Sequence, residues 1–216
     1  MKSGDIADEQ LSASSSFDVS SVGPRHARLG HEIDGGAWCP NTLVSTGMEE
    51  WLEIRLKAMH VITGVESQGR FGNGQGLEYS EKYRLQYWRP GFNQWRAYKA
   101  RNGTEILEGN RNTYVANKNA LDPPIIASKI RILPFSHHVR TVCMRVELHG
   151  CNYTGGVVSY SMPQGERWNQ SVELLDWTYD GKDDSGFLSG GLGQLVDGRT
   201  GQEKIATLKG PKSGEQ

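Results

Sequence analysis

The sequence VESQGRFGNGQGLEYSEKYRLQYW, residues 65–88, joins a β-like segment to an alternating strand through a glycine-rich loop. The loop carries one cation, Arg70, and one carboxylate, Glu78. The strand alternates Tyr83, Leu85 and Tyr87 on one face with Arg84, Gln86 and Trp88 on the other. Such alternation is typical of a half-buried strand. Because loops held on a strand scaffold often carry binding residues, this stretch indicates a β fold with a recognition loop.

Two interpretations of the charged pair remain open from the residues alone. Arg70 and Glu78 either form a surface salt bridge, worth less than about 1 kcal/mol, or meet charged groups of a partner. A dinucleotide-binding loop is excluded, because its fingerprint needs a third glycine where Leu77 stands.

Composition is that of an ordinary globular protein. The chain has 216 residues, of which 36% are hydrophobic and 23% charged. Its formal net charge of -1 provides no general attraction to nucleic acid or to an anionic membrane. No run reaches the roughly 18 apolar residues that span a bilayer, and the first residues lack the apolar region of a signal peptide. We therefore expect neither signal peptide nor anchor in this sequence, which is a fragment if the protein is secreted.

Alternating segments recur along the first 150 residues. They are found at residues 51–56, 59–65, 88–97, 125–133 and 143–151. Pro90-Gly91 predicts the turn of a hairpin, and Asp122-Pro123-Pro124 predicts a break in the chain. Short strands with turn signals between them and no convincing helix predict an all-β fold, an antiparallel sandwich or barrel.

A second unit follows residue 151. It is β-like for roughly fifty residues, too few for a core like that of the first unit. From Arg199 onward the composition shifts to Gly, Lys, Ser and Glu. We expect an incomplete domain and then a tail.

The three cysteines, Cys39, Cys143 and Cys151, lack the paired spacing of a zinc site. One bridge and one remaining thiol is the simplest arrangement. Candidate glycosylation sequons, which also arise by chance, begin at Asn102, Asn152 and Asn169.

Motifs for catalysis are absent from the sequence. There is no HExxH, GxSxG or Walker A motif and no kinase signature, so an enzyme is the least favoured class. Two other classes stay open. One is a phospholipid-binding module that inserts apolar loop tips, with Phe17, Val19, Val22 and Phe71 as candidates. The other is a carbohydrate-binding module.

Several runs carry a resemblance to a known family. They are ASSS, RHARL, DGGAWCP, SQGRFGNGQGLEYSEKYRLQY, LDPPIIASKIRILP and CMRVELHGC, followed by GVVSYSMP, TYDG and GGLGQLVDG. In this order they resemble the discoidin domain and the discoidin-like second domain of the discoidin domain receptors, the collagen-activated receptor tyrosine kinases. The resemblance implies a discoidin (coagulation factor 5/8 type C) domain over residues 5–151, an eight-stranded jelly-roll barrel. It also implies a truncated discoidin-like domain over 152–198 and a divergent, disordered tail over 199–216.

The resemblance implies that loops at one end of the barrel bind triple-helical collagen. Phe17 stands where the family has a tryptophan, Ser21 is the counterpart of a threonine, and Thr141 stands where the family has an asparagine. Arg70 and Glu78 match the charged pair of the family's binding trench. An acidic residue of the family falls on Gly35, with Asp34 one position early, so affinity or sequence preference is expected to differ.

The resemblance also implies how the cysteines pair, where a calcium ion binds and where in the cell the protein is located. Cys39 pairs with Cys143, and Cys151 pairs with a cysteine preceding Met1. Gln194 and Asp197 match two calcium ligands of the family's second domain, an incomplete site here, and no cofactor is expected in the fragment otherwise. The expected protein is a dimeric type I receptor on the extracellular side of the plasma membrane, attached through a transmembrane segment outside this sequence, with no nucleic-acid partner.

Overall fold

The computed structural model describes residues 1–154 and, as backbone only, residues 161–163, 182–184 and 187–189. By its internal contacts the chain divides into two units, Met1–Tyr153 and Thr154–Gln216. The first unit contains strands β1 (Leu11–Ala13), β2 (Leu52–Gln68), β3 (Lys82–Trp88), β4 (Arg96–Ala97), β5 (Ile106–Glu108), β6 (Asn117–Phe135) and β7 (Arg145–Asn152), with one short helix, α1 (Val19–Val22). Single 3-10 turns lie at Asp8–Gln10, Pro24–His26 and Gly72–Gly74.

All strand pairs of the first unit are antiparallel, which confirms the predicted all-β architecture. The strand order is β1-β2-β6-β3-β4, with β5 beside β3 and β7 beside β2. The register between β2 and β6 shifts between Arg55 and His60 and again between Ile62 and Gly64. Such bulges bend long strands, and the two segments predicted at 51–56 and 59–65 form the single strand β2.

The core contains the side chains that alternation assigns to one face of each strand. Leu52 and Ile54 of β2, Tyr83 and Leu85 of β3, and Ile130 and Ile132 of β6 are at most 1% exposed. Burial of such side chains contributes about 1.5 to 3 kcal/mol each. The alternating pattern therefore identified the inner face correctly.

The break predicted at Asp122-Pro123-Pro124 is wrong. Strand β6 continues through these residues, and the Asp122–Pro123 peptide is cis. Proline lacks a backbone N–H, yet β6 tolerates two prolines because no residue between Ala120 and Ile125 takes part in the ladder with β2. The prolines occupy a bulge within the strand.

The hairpin at Pro90-Gly91 is confirmed. Gln86 and Tyr87 of β3 pair with Ala97 and Arg96 of β4. Gly91 has a φ of 92°, which a type II turn requires at the residue after proline.

The second unit is described only as three short strands. They are β8 (Ser161–Pro163), β9 (Lys182–Asp184) and β10 (Phe187–Ser189), in the antiparallel order β8-β10-β9. The domain boundaries and the tail remain predictions. Among the described residues, no helix has the length and apolar character needed to cross a membrane.

Candidate binding trench

A trench with a volume of about 530 Å³ lies among the loops at one end of the barrel. Strand β2 ends at Gln68, opposite Arg145 where β7 begins, so the loops beyond these two residues meet at the same end. The trench lining includes all five predicted contact residues, namely Phe17, Ser21, Arg70, Glu78 and Thr141. The structure thus brings them together, while their role in binding remains a prediction.

The charged part of the lining is a salt bridge inside the glycine-rich loop. Nη1 of Arg70 donates to Oε2 of Glu78 at 3.0 Å, and Nε of Arg70 donates to the carbonyl of Gly35 at 2.9 Å. The backbone N–H of Leu77 also donates to Oε2 of Glu78, at 3.1 Å. Both charged side chains are a little under one third exposed. The pair is therefore fixed in place before any ligand arrives.

These contacts set the charge state of Glu78. Burial by itself raises the pKa of this carboxyl. Hydrogen bonds from Arg70 and from the backbone outweigh that effect, and the pKa of Glu78 lies below its ordinary value. Glu78 is consequently ionised at neutral pH.

Glycine is required in the loop for close approach. A Cβ on Gly76 would lie 2.0 Å from the carbonyl oxygen of Arg70. Gly76 also donates its N–H to the carbonyl of Phe71 at 2.9 Å. This turn returns the chain from Arg70 to Glu78 and so brings the two charges together.

The first loop, which joins β1 to α1, supplies an exposed aromatic ring. Phe17 is 74% exposed, and its backbone N–H donates to the carbonyl of Cys39 at 2.9 Å. Asp18 follows as the N-cap of α1, accepting from the N–H of Ser20 at 2.9 Å. The Ser21 hydroxyl donates to the same carboxylate at 2.8 Å, and these bonds lower the pKa of Asp18. Capping therefore fixes the loop and leaves the Phe17 ring free.

The departure noted at Gly35 has a steric explanation. A Cβ at this position would lie 2.3 Å from Cγ1 of Val22 and 2.4 Å from the carbonyl oxygen of Ser21, so no side chain fits. Asp34 lines the trench instead, with a φ of 55°. Its Oδ2 lies 4.0 Å from Nε2 of the buried His26. An acidic group is thus present in the lining, but one position earlier.

A disulfide between Cys39 and Cys143 forms part of the lining, the pairing implied by the resemblance. Both cysteines are buried, and they form a small apolar cluster with Val22 and Ala37. Cys151 is exposed and has a free thiol. The bridge joins the loop after Phe17 to the chain just before β7.

Two of the four loop-tip candidates for membrane insertion pack on the protein, Val22 as a buried side chain and Phe71 as a half-buried one. Val22 is only 7% exposed, and Phe71 packs edge to face on Tyr114 with ring centroids 6.3 Å apart. Phe17 and Val19 remain exposed.

The segment after Cys39 also lines the trench, although no pattern in the sequence predicted it. Asn41, Thr42 and Leu43 line the trench, and Leu43 is 53% exposed. The only available signal was their position directly after the AWCP motif, which the resemblance placed near the binding loops.

Several predicted sites lie elsewhere. Asn102 and Asn152 are exposed, as a glycosylation site requires. The other predicted sites, Gln194 and Asp197 for calcium and Asn169 for glycosylation, lie outside the described residues. Within the described part of the chain, no group of three or more metal-ligating side chains is present.

An antiparallel barrel with a preformed trench among the loops of one end defines a ligand-binding module. The F5/8 type C domain model matches residues 10–148, and the model of the discoidin domain-containing receptor 1/2 DS-like domain matches residues 156–214. The chain therefore belongs to the F5/8 type C domain family, in the two-domain arrangement of the discoidin domain receptors. Both matched regions are domains of the discoidin type, and neither is a catalytic domain.

Curated relatives agree with this assignment. The chain is 44% identical over 206 residues to the discoidin domain-containing receptor tyrosine kinase B of Caenorhabditis elegans, covering 95% of this chain and 26% of the relative. It is 40% identical over 203 residues to the human epithelial discoidin domain-containing receptor 1, covering 93% of this chain and 22% of the relative. The chain thus spans about a quarter of the length of these relatives. Discoidin II of Dictyostelium discoideum has the same fold, with a TM-score of 0.55 and 20% identity over 72% of this chain and 60% of that chain.

Proposed function

We propose that this chain is the collagen-binding recognition module of a receptor tyrosine kinase. The observation that carries the proposal is the trench itself, which combines an exposed aromatic ring, Phe17, with a fixed ion pair, Arg70 and Glu78. Triple-helical collagen repeats Gly-X-Y and presents its X and Y side chains outward. An open trench with apolar and charged parts suits a rod that presents both kinds of side chain.

Arg70 and Glu78 can still bind charged groups of a ligand while they form a salt bridge with each other. A guanidinium has five N–H donors, and Arg70 uses Nε and Nη1 within the protein. Both side chains are a little under one third exposed, and Nη2 of Arg70 and Oε1 of Glu78 take no part in the three bonds described above. A collagen carboxylate binds the first and a collagen cation the second, while an apolar collagen side chain packs on Phe17. The two earlier interpretations of the pair are therefore compatible.

Two substitutions relative to the family favour an altered collagen preference. Phe17 is smaller than tryptophan and lacks an indole donor, and Thr141 replaces an asparagine. We expect a smaller apolar contact and a different hydrogen bond at these two places.

Solid-phase binding of the chain to native and to heat-denatured collagen tests the proposal. We expect binding to native collagen only, and loss of that binding in an Arg70→Ala, Glu78→Ala double variant. The matched control is the Arg101→Ala, Asp122→Ala variant, which removes an exposed ion pair outside the trench. Equal binding to both forms of collagen, or equal effects of the two double variants, would contradict the proposal.

We also propose that the protein is displayed on the extracellular side of the plasma membrane as a dimeric type I receptor. The names of its relatives support a receptor, and the Cys39–Cys143 disulfide suits an oxidising compartment. Calcium binding by the second domain through Gln194 and Asp197 is likewise a proposal. Surface labelling of cells that express the complete gene tests the location, and protein retained wholly inside the cell would contradict it.

A further inference from the structure

The trench contains a second exposed apolar side chain besides Phe17. Leu43 lines the cavity and leaves 53% of its surface exposed. Exposing a leucine costs free energy in proportion to its area, and a leucine inside a concave site offers that area to a ligand. By comparison, Val115 is 54% exposed but does not line the trench.

A buried carboxylate joins the segments that carry Phe17 and Leu43. Glu50 is 8% exposed, and Ser15 donates its hydroxyl to Oε2 of Glu50 at 2.8 Å. The hydroxyl groups of Ser14 and Thr42 donate to the same carboxylate. Phe17 lies two residues after Ser15, and Leu43 directly follows Thr42. One carboxylate therefore holds the chain on both sides of the apolar part of the trench.

Further bonds make the connection between the two segments rigid. The backbone N–H of Asn41 donates to the Ser15 hydroxyl at 2.9 Å, and the indole N–H of the buried Trp38 donates to the Ser15 carbonyl at 2.9 Å. Ser14 and Ser15 of the ASSS run, which only carried a family resemblance in the sequence, thus have a structural role. They connect the first loop to the segment after the AWCP motif.

The ionised form of Glu50 suits this arrangement. Burial by itself raises the pKa of the carboxyl, but the three hydroxyl donors outweigh burial and hold the pKa below its ordinary value. An ionised carboxylate accepts from all three hydroxyl groups, and hydrogen bonds to a charged acceptor are roughly twice as strong as neutral ones.

We propose that Leu43 is a second apolar contact residue of the trench and that Glu50 positions Leu43 and Phe17 for the ligand. The inference rests on the proposed function, and it adds that the collagen segment bound here presents apolar surface to two side chains. Glu50 does not touch the ligand. It acts through the serine and threonine hydroxyl groups that it binds.

Binding of native collagen by single variants tests the contact. Leu43→Ser is expected to weaken binding about tenfold, the effect of losing one apolar contact of roughly 1.4 kcal/mol. Leu43→Met, which keeps the volume, retains affinity within about twofold. Val115→Ser is the matched control, with an expected change below about twofold, because Val115 is as exposed as Leu43 and lies outside the trench lining. Melting temperatures measured in parallel show whether each variant is folded.

A double-mutant cycle tests the positioning role. Glu50→Gln removes the charge at nearly constant volume and is expected to weaken binding about threefold to tenfold. If Glu50 acts through Leu43, the effects of Glu50→Gln and Leu43→Ser combine to less than their product. The effects of Glu50→Gln and Arg70→Ala on collagen affinity are expected to multiply, because the two residues affect different parts of the lining. Effects of Glu50→Gln and Leu43→Ser that multiply fully would overturn the positioning role.

The outcomes separate this inference from the proposed function. If the wild-type chain binds collagen, Arg70→Ala loses binding and folded Leu43→Ser binds as wild type, the inference fails and the proposed function stands. Equal weakening by Leu43→Ser and Val115→Ser also overturns the inference, because the effect is then not specific to the trench. If the wild-type chain does not prefer native collagen, the proposed function fails and the inference fails with it.

Discussion

At the residue scale, the charge on Glu78 makes the stability of the trench depend on pH. Hydrogen bonds from Arg70 and Leu77 exist only in the folded chain and lower the folded-state pKa of Glu78. Its contribution to stability is fully present above the unfolded pKa of about 4.3 and is lost as pH falls through the lower folded pKa. We expect the melting temperature to fall less steeply below about pH 4.3 in Glu78→Gln than in the wild type. Thermal unfolding between neutral and acidic pH measures this, with exposed Glu49→Gln as the control.

A second residue-scale prediction concerns Gly35. Because a Cβ there would overlap a backbone oxygen, Ser21 O, and the side chain of Val22, Gly35→Ala forces α1 to move. We expect a loss of about 2 to 3 kcal/mol in the free energy of unfolding, measured by urea denaturation. Gly47→Ala is the control, because a Cβ added at Gly47 would have no atom within 4 Å. This control variant therefore measures only the cost of placing alanine at a positive φ, here 92°. A loss no larger than that of the control would contradict the steric argument.

Some residues of the trench could be predicted from the sequence and others could not. The sequence showed that Arg70 and Glu78 belong to one loop, because both lie in the same glycine-rich stretch. It did not show Leu43, since the two apolar residues Leu43 and Val44 within a polar segment have no periodic pattern. Nor did it show that Asp34 takes the acidic place, because the clash at Gly35 comes from Val22 and Ser21, which lie more than ten residues away in the chain.

At the scale of elements, Arg145 at the start of β7 holds three loops together. Its fully buried guanidinium donates to the carbonyl of Gly69 at 2.7 Å, to that of Thr113 at 3.0 Å and to that of His31 at 3.2 Å, and it pairs with Glu32. Gly69 precedes Arg70, and His31 and Glu32 precede the trench residue Asp34. The strand thus connects the glycine-rich loop to two others through one side chain.

Replacing that side chain is expected to destabilise the loops and the fold. Arg145→Met leaves buried carbonyl groups and Glu32 without their donor, which costs about 3 to 5 kcal/mol. Amide hydrogen exchange is expected to accelerate in the loops around Gly69 and Thr113 more than in the core strands. Arg101→Met, which breaks an exposed pair, is the control and is expected to change stability by less than about 1 kcal/mol. Uniform acceleration over all strands would contradict a specific role in the loops.

The strands themselves illustrate what alternation predicts and what it does not. Leu52, Ile54, Ile130 and Ile132 were assigned to the inner face correctly because a strand has a period of two. Arg145 occupies an alternating outer position and is nevertheless buried, because loops distant in sequence cover it. The prolines of β6 were read as a break because their tolerance depends on a bulge against β2, which is a property of the pairing and not of the local sequence.

At the scale of the whole molecule, the Cys39–Cys143 disulfide links residues 104 positions apart. Closing so long a loop reduces the entropy of the unfolded chain, which stabilises the fold by about 4 to 5 kcal/mol in the entropic model. We expect a Cys39→Ser, Cys143→Ser double variant to lose free energy of unfolding of that order in urea denaturation. Cys151→Ser, which replaces an exposed free thiol, is expected to leave stability nearly unchanged.

The Cys39→Ser, Cys143→Ser double variant also shows whether the disulfide stabilises only the whole fold or also shapes the trench. If the disulfide acts only through the unfolded state, the double variant binds collagen as the wild type does at a low temperature at which it remains folded. Phe17 would then stay in place, because its backbone N–H is also bonded to the carbonyl of residue 39. If the bridge also shapes the trench lining, binding weakens even where the variant is fully folded. Collagen binding measured well below the melting temperature, with the folded fraction followed by near-ultraviolet circular dichroism, distinguishes the two. We expect weaker binding, because both cysteines line the trench and pack on Val22 next to Ser21.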